Sequence, residues 1–164
     1  MPFFTITTPT YNRAHLLPAL FASLSSQTFR DFEWIIGDDG STDDTENLVQ
    51  SFIKDADFNI TYLKLKHGGK HNACNEMIKH IKGSYCLSID SDDVLFNKNT
   101  LQDIFNTIRN LPKDKTFWGV GCQFISQDNK IFPPLSSDYV DIDKDLYLNL
   151  FTSKPYMLNY FGVL

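Results

Sequence analysis

The chain has few cysteines, no block of basic residues and no long apolar run. Its three thiols, Cys74, Cys86 and Cys122, are odd in number and lack the paired spacing of a zinc site, so reduced, packed thiols are expected rather than a disulfide framework. Fifteen Lys and Arg stand against twenty Asp and Glu, a formal net charge of -5, and nucleic acid is not the expected partner. The apolar stretches fall well short of the roughly 20 residues that cross a bilayer, so no membrane span is expected. No basic-then-apolar leader opens the sequence. The sequon at Asn59 is therefore expected to be unused, and the expected location is the cytoplasm, the inner face of the membrane included.

What is present is a core. The 164 residues are 42% hydrophobic and 14% aromatic, which suits one compact domain. Strand-like and helix-like segments alternate. "FFTITT" is followed by a helical stripe of Leu16, Leu17, Leu20, Phe21 and Leu24, and "FEWIIG" by a stripe of Leu48, Val49, Phe52 and Ile53. "ITYLKL" precedes Ala73, Met77, Ile78 and Ile81; "SYCLSI" precedes Leu101, Ile104, Phe105, Ile108 and Leu111. Parallel neighbours need crossover connections, so this alternation predicts an α/β fold with helices on both faces of a parallel sheet.

In such a sheet ligands gather at the carboxyl ends of the strands. The unusual loops of this sequence all lie there: "TPTYNR", "DDGSTDD", "HGGKHN" and "DSDD". The last is the strangest, because Asp90, Asp92 and Asp93 crowd three like charges into four positions, each raising the proton affinity of the others. A positive partner is implied. Tyr11, the Asp38 and Asp39 pair, the Gly-Gly turn with Lys70 and His71, and this cluster suit a base, a sugar, a diphosphate and a divalent cation. Hard cations prefer carboxylate and phosphate oxygens, so Mn2+ or Mg2+ could link an acidic protein to phosphates.

The motifs "TPTYNRAHLL", "WIIGDDGSTDDT", "GGKHNACN" and "LSIDSDD", in this order, resemble the family 2 glycosyltransferases over residues 1 to 112. That resemblance implies a GT-A fold with a Rossmann-like, mostly parallel sheet. It also implies metal-dependent, inverting transfer from a nucleotide-diphosphate sugar, expected to be a UDP-sugar, to a saccharide, lipid-linked or other hydroxyl acceptor. Pro9, Thr10 and Tyr11 would border the base, with Tyr11 packed on the ring and Asp39 hydrogen-bonded to uracil. Lys70 would lie near the diphosphate. Asp90 and Asp92 match the Asp-x-Asp element, with Asp93 beside them, and would meet the donor sugar and the metal. The whole of 1–164 is expected to be one GT-A domain cut at its C-terminus, residues 113–164 beginning the acceptor side. Such a segment would bind donor but transfer poorly.

Other readings compete. Asp43 and Asp44 are explained as helix-start residues, His67 as loop surface, and His15 and His80 as helix residues. A receiver-like signalling module would place its acidic pair after the first strand, whereas this pair follows the second. A nucleotidyltransferase would show a Gly-rich basic signature after the first strand. An EF-hand would need glycine where Leu95 stands. No residue is assigned as the catalytic base; Asp138, Asp141, Asp143 and Asp145 are the late carboxylates available.

Overall fold

The computed structural model describes residues 1–111 and the strands Phe124–Ile125, Ile131–Phe132 and Gly162–Val163. Strands β1 (Phe4–Thr10), β2 (Phe32–Asp38), β3 (Asn59–Lys64) and β4 (Tyr85–Ser88) are parallel, in the order β3-β2-β1-β4. Every residue of β1 and β2 is buried. Central strands covered on both faces require this, and "FTITTPT" tolerates it because the hydroxyls of Thr5, Thr7 and Thr8 find partners. Thr5 donates to Glu33 at 2.7 Å and Thr8 accepts from the Trp34 indole at 2.9 Å.

Three helices make the crossovers, α1 (Leu17–Ser25), α2 (Thr45–Asp55) and α3 (Lys70–Ile78), and a fourth, α4 (Thr100–Arg109), follows β4. They bury Leu17, Leu20 and Leu24; Val49 and Phe52; Ala73 and Met77; and Leu101 and Ile104. The buried stripes are narrower than the sequence periodicity suggests. Ile53 and Ile78 are exposed, each one position past a buried residue and so about 100° round its helix.

Beyond these elements, β7 (Gly162–Val163) pairs antiparallel with Tyr85 and Cys86 on β4. The chain divides into two compact units, Met1–Val120 with Phe161–Leu164, and Gly121–Tyr160. Within the second, β5 (Phe124–Ile125) pairs antiparallel with β6 (Ile131–Phe132). The strand expected in "TFWGVGCQFIS" is thus described only at Phe124–Ile125, and the late Asp138 to Asp145 carboxylates lie outside the described residues.

Strand register sets where the loops leave the sheet. Thr10 pairs with Asp38 and Asp38 with Lys64, so three strands end level. The β1–β4 ladder stops earlier: Thr7 pairs with Ser88 and the Ile89 amide donates to the Thr7 carbonyl at 2.9 Å. The next rung would need an amide hydrogen from residue 9. Proline has none, so Pro9 ends the ladder and releases the chain at Asp90.

At the opposite edge, Gly83 marks a close backbone approach. A Cβ there would lie 2.5 Å from the Thr5 nitrogen, and the Gly83 amide donates to the Thr5 hydroxyl at 2.8 Å. Gly83→Ala is expected to destabilise the fold by about 1 to 3 kcal/mol, as overpacking does. Urea denaturation reads the change, and an unaltered midpoint would mean that the backbone moves aside freely.

Candidate active site

The loops after β1 and β2 are tied together before any ligand is considered. Asn12 adopts a left-handed φ of 51°, which asparagine tolerates, and its side-chain oxygen accepts from the amides of Thr42 at 2.8 Å and Asp43 at 3.3 Å. Its own amide donates to the Ser41 hydroxyl at 2.8 Å. Asp43 accepts from the Ala14 amide at 3.0 Å and from the Thr45 hydroxyl at 2.5 Å. Burial alone would push the Asp43 carboxyl up, but the Thr45 hydroxyl and the Ala14 and Thr45 amides outweigh it and hold the group below its ordinary value. Asp43 therefore does more than start a helix. Asp44 occupies the N-cap position of α2 without making a side-chain cap and accepts instead from Asn47 at 2.7 Å.

The adjacent carboxylates Asp38 and Asp39 take different partners. Asp38 accepts from the Ser41 amide at 2.8 Å and from the Tyr62 hydroxyl, and burial together with that contact pushes the Tyr62 phenol far up. Asp39 extends the sheet edge by donating its amide to the Thr10 carbonyl at 2.9 Å. Its carboxylate accepts the amides of Gly68 and Gly69, both at 2.8 Å, and lies 2.8 Å from His67 Nδ1. Burial acts to raise this carboxyl, yet the two amides and His67 together hold it below its ordinary value. The His67 ring then stacks on Tyr11, with centroids 4.4 Å apart and planes 22° from parallel. Glycine is required at residue 40, where φ is 81° and a Cβ would stand 2.9 Å from the His67 nitrogen.

Beyond Pro9 the acidic loop meets two cations. Lys70, the first residue of α3, donates to both oxygens of Asp90, at 2.8 and 2.7 Å. Arg13 lies 3.2 Å from Asp92 and donates to the buried Ser91 hydroxyl at 3.3 Å. Asp93 has no such partner among the described residues; burial and the charges of Asp92 and Asp90 push its carboxyl up, with Lys70 opposing. The chain itself thus supplies a positive partner to two of the three carboxylates. Among the described residues no three metal-binding side chains converge at ligand spacing. The donor chemistry nevertheless fits a hard divalent cation, since the cluster offers only carboxylate oxygens and both Asp90 and Asp92 reach solvent.

The candidate donor-site residues singled out in the sequence lie along one edge of the sheet and are joined in linked groups. Tyr11 connects through His67 to Asp39, Asp39 connects to Thr10 through the backbone, and Lys70 connects to Asp90. Thr10 is buried, and its hydroxyl has no hydrogen-bond partner among the described residues. Side chains that sequence reading did not select also enter, among them Asn12, Arg13, Tyr62 and His67. The signal for His67 was its place directly before the Gly68-Gly69 turn.

Comparison with known proteins agrees with this geometry. The Glycosyl transferase family 2 profile matches residues 5–153. The chain is 34% identical over 102 residues to the poly(ribitol-phosphate) beta-N-acetylglucosaminyltransferase TarS of Staphylococcus aureus, covering 61% of this chain and 18% of that protein. It is also 34% identical over 102 residues to the GalNAc(5)-diNAcBac-PP-undecaprenol beta-1,3-glucosyltransferase of Campylobacter jejuni, covering 59% of this chain and 32% of that one. The chain thus spans a third or less of these two relatives. Among solved structures, S. aureus TarS 1-349 in complex with UDP superposes with a TM-score of 0.59 at 33% identity, over 66% of this chain and 32% of that one. The mannosyltransferase PcManGT of Pyrobaculum calidifontis, in complex with GDP-Man and Mn2+, shares the fold at a TM-score of 0.64 and 24% identity, over 73% and 34%. The expected α/β, GT-A architecture is therefore present, and the chain belongs to glycosyltransferase family 2.

Proposed function

We propose that this chain carries the donor-binding part of a metal-dependent, inverting glycosyltransferase, with residues 1–112 holding a UDP-sugar. The observation that carries the reading is the buried carboxylate of Asp39, fixed on the Gly68 and Gly69 amides and linked through His67 to the Tyr11 ring. A fixed acceptor beside an aromatic face suits the imide of a pyrimidine, and the UDP-bound form of TarS supports uracil as the base. Pro9 and Thr10 would border the base, Lys70 would pair with the diphosphate, and Asp90 would meet the donor sugar. Asp90, Asp92 and Asp93 would hold Mn2+ or Mg2+, which when bound supplies positive charge to the departing diphosphate.

The rest of the reaction falls to the protein. The strand-end loops orient the anomeric carbon, and a carboxylate takes the acceptor proton as the hydroxyl attacks from the face opposite the nucleotide. The base stays unassigned, since the late carboxylates lie outside the described residues. The acceptor is a saccharide, lipid-linked or other hydroxyl compound, and the lipid-linked substrate named for the C. jejuni relative illustrates that range. Among the described residues no helix is long and apolar enough to cross a membrane. The work of such an enzyme belongs in the cytoplasm, including the inner membrane face, where nucleotide sugars are at hand.

A thermal-shift panel of UDP-, GDP-, dTDP- and CDP-sugars, with and without manganese, tests the reading. A ligand that binds only the folded state raises the melting temperature. The largest rise is expected for a UDP-sugar with manganese. No rise with any of the four would overturn the proposal.

A further inference from the structure

Lys70 sits where a cation is least welcome. It opens α3, at the positive end of the helix dipole, and the first turn contains no acidic residue. A positive charge there opposes the helix dipole unless an anion offsets it. Asp90 is that anion, delivered from the end of β4 with both oxygens on the Lys70 ammonium. Arg13 plays the matching part for Asp92, but through one nitrogen at 3.2 Å rather than a two-pronged fork. Both pairs are open to water, with side-chain exposures of 51% and 25% for Lys70 and Asp90 and 45% and 51% for Arg13 and Asp92. Open pairs of this kind contribute little to stability and can be broken by an arriving ligand.

We propose that Arg13 and Lys70 are exchangeable counter-cations of the donor site, occupying Asp92 and Asp90 until a divalent cation and a diphosphate displace them together. The inference rests on the donor-site reading above. Three carboxylates and two cations leave one uncompensated negative charge, so a metal arriving alone meets weak attraction and must dislodge both side chains. With a diphosphate present, the displaced ammonium and guanidinium have new anionic partners. Metal and nucleotide then favour each other's binding, and the coupling is the same seen from either side. Arg13 is thereby a positioning residue for Asp92. Lys70 is both a guard of Asp90 and a phosphate contact.

The test is manganese binding without nucleotide, followed by the electron paramagnetic resonance signal of the free ion, for the wild type, Lys70→Met, Arg13→Met and Lys70→Arg. Removing either cation is expected to tighten manganese binding about three- to tenfold, since a like charge beside the ion is gone and a carboxylate is freed. Lys70→Arg keeps the charge and should match the wild type. Calorimetry with UDP at saturating manganese should show the opposite sign, Lys70→Met binding about tenfold more weakly. Circular dichroism melts confirm that the variants are folded. Metal-alone affinity that is unchanged or weaker in both Met variants would overturn the exchange while leaving the donor site standing. A wild type that binds manganese but no UDP would overturn the donor-site reading, and the exchange with it.

Discussion

Asp92→Asn is expected to lower UDP affinity in manganese by about a hundredfold or more, while barely changing the weaker binding seen in chelator. Asparagine keeps the shape of the side chain but removes the charge, and hard cations depend on carboxylate charge for affinity. Loss of groups that merely support a metal ligand costs about 10- to 100-fold, so loss of a ligand should cost at least as much. Asp92 is the cluster member with the most open geometry, half exposed and held by a single Arg13 contact. Little else in the fold depends on it. Calorimetric titration of both proteins with UDP measures the effect, and equal affinities in manganese would place the metal elsewhere.

Asp39→Ala should have the second large effect, on both selectivity and stability. The substitution strips the partner from the Gly68 and Gly69 amides and from His67, and orphaned polar groups cost about 1 to 3 kcal/mol. The preference for UDP over CDP is expected to fall by about tenfold, because CDP presents a different pattern at the base edge. The pH dependence follows from the sign of the shift. Asp39 is held below its ordinary value of 3.8, so its contribution is complete above that pH and is lost as the pH falls through the lowered folded value. Urea midpoints at pH 7 and in acid should therefore differ less in the variant than in the wild type. Unchanged discrimination between UDP and CDP would remove Asp39 from the base site.

The sheet and its helices were legible because their signals are local. Short apolar runs and 3.6-residue periodicities fix each element within a short window, and β1, β2, β3 and β4 lie within a residue or two of the expected runs. Side-chain partnerships were not legible, since register alone brings the partners together. Asp38 and Asp39 look equivalent in sequence, but one is turned toward Tyr62 and the other toward Gly68 and Gly69. Asp43 read as a helix start because its link to Ala14 spans 29 positions. Glu33, inside the apolar run "FEWIIG", is buried at 4% exposure because Thr5 and the Lys82 amide, far away in sequence, satisfy it. The acidic loop posed the right question, yet its present counter-ions come from elsewhere, Arg13 from the loop after β1 and Lys70 from the start of α3.

Four strand-end loops are proposed to form one nucleotide site. Amide hydrogen exchange of the protein with and without UDP and manganese tests it most directly, because bound ligand slows exchange where it holds the backbone. Protection is expected in the segments around Tyr11, Asp39, Gly68 to His71 and Asp90 to Asp93, with no change near Gly83 at the opposite edge. Bound UDP that protects none of these loops, or protects only the Gly83 edge, would place the nucleotide elsewhere on the protein.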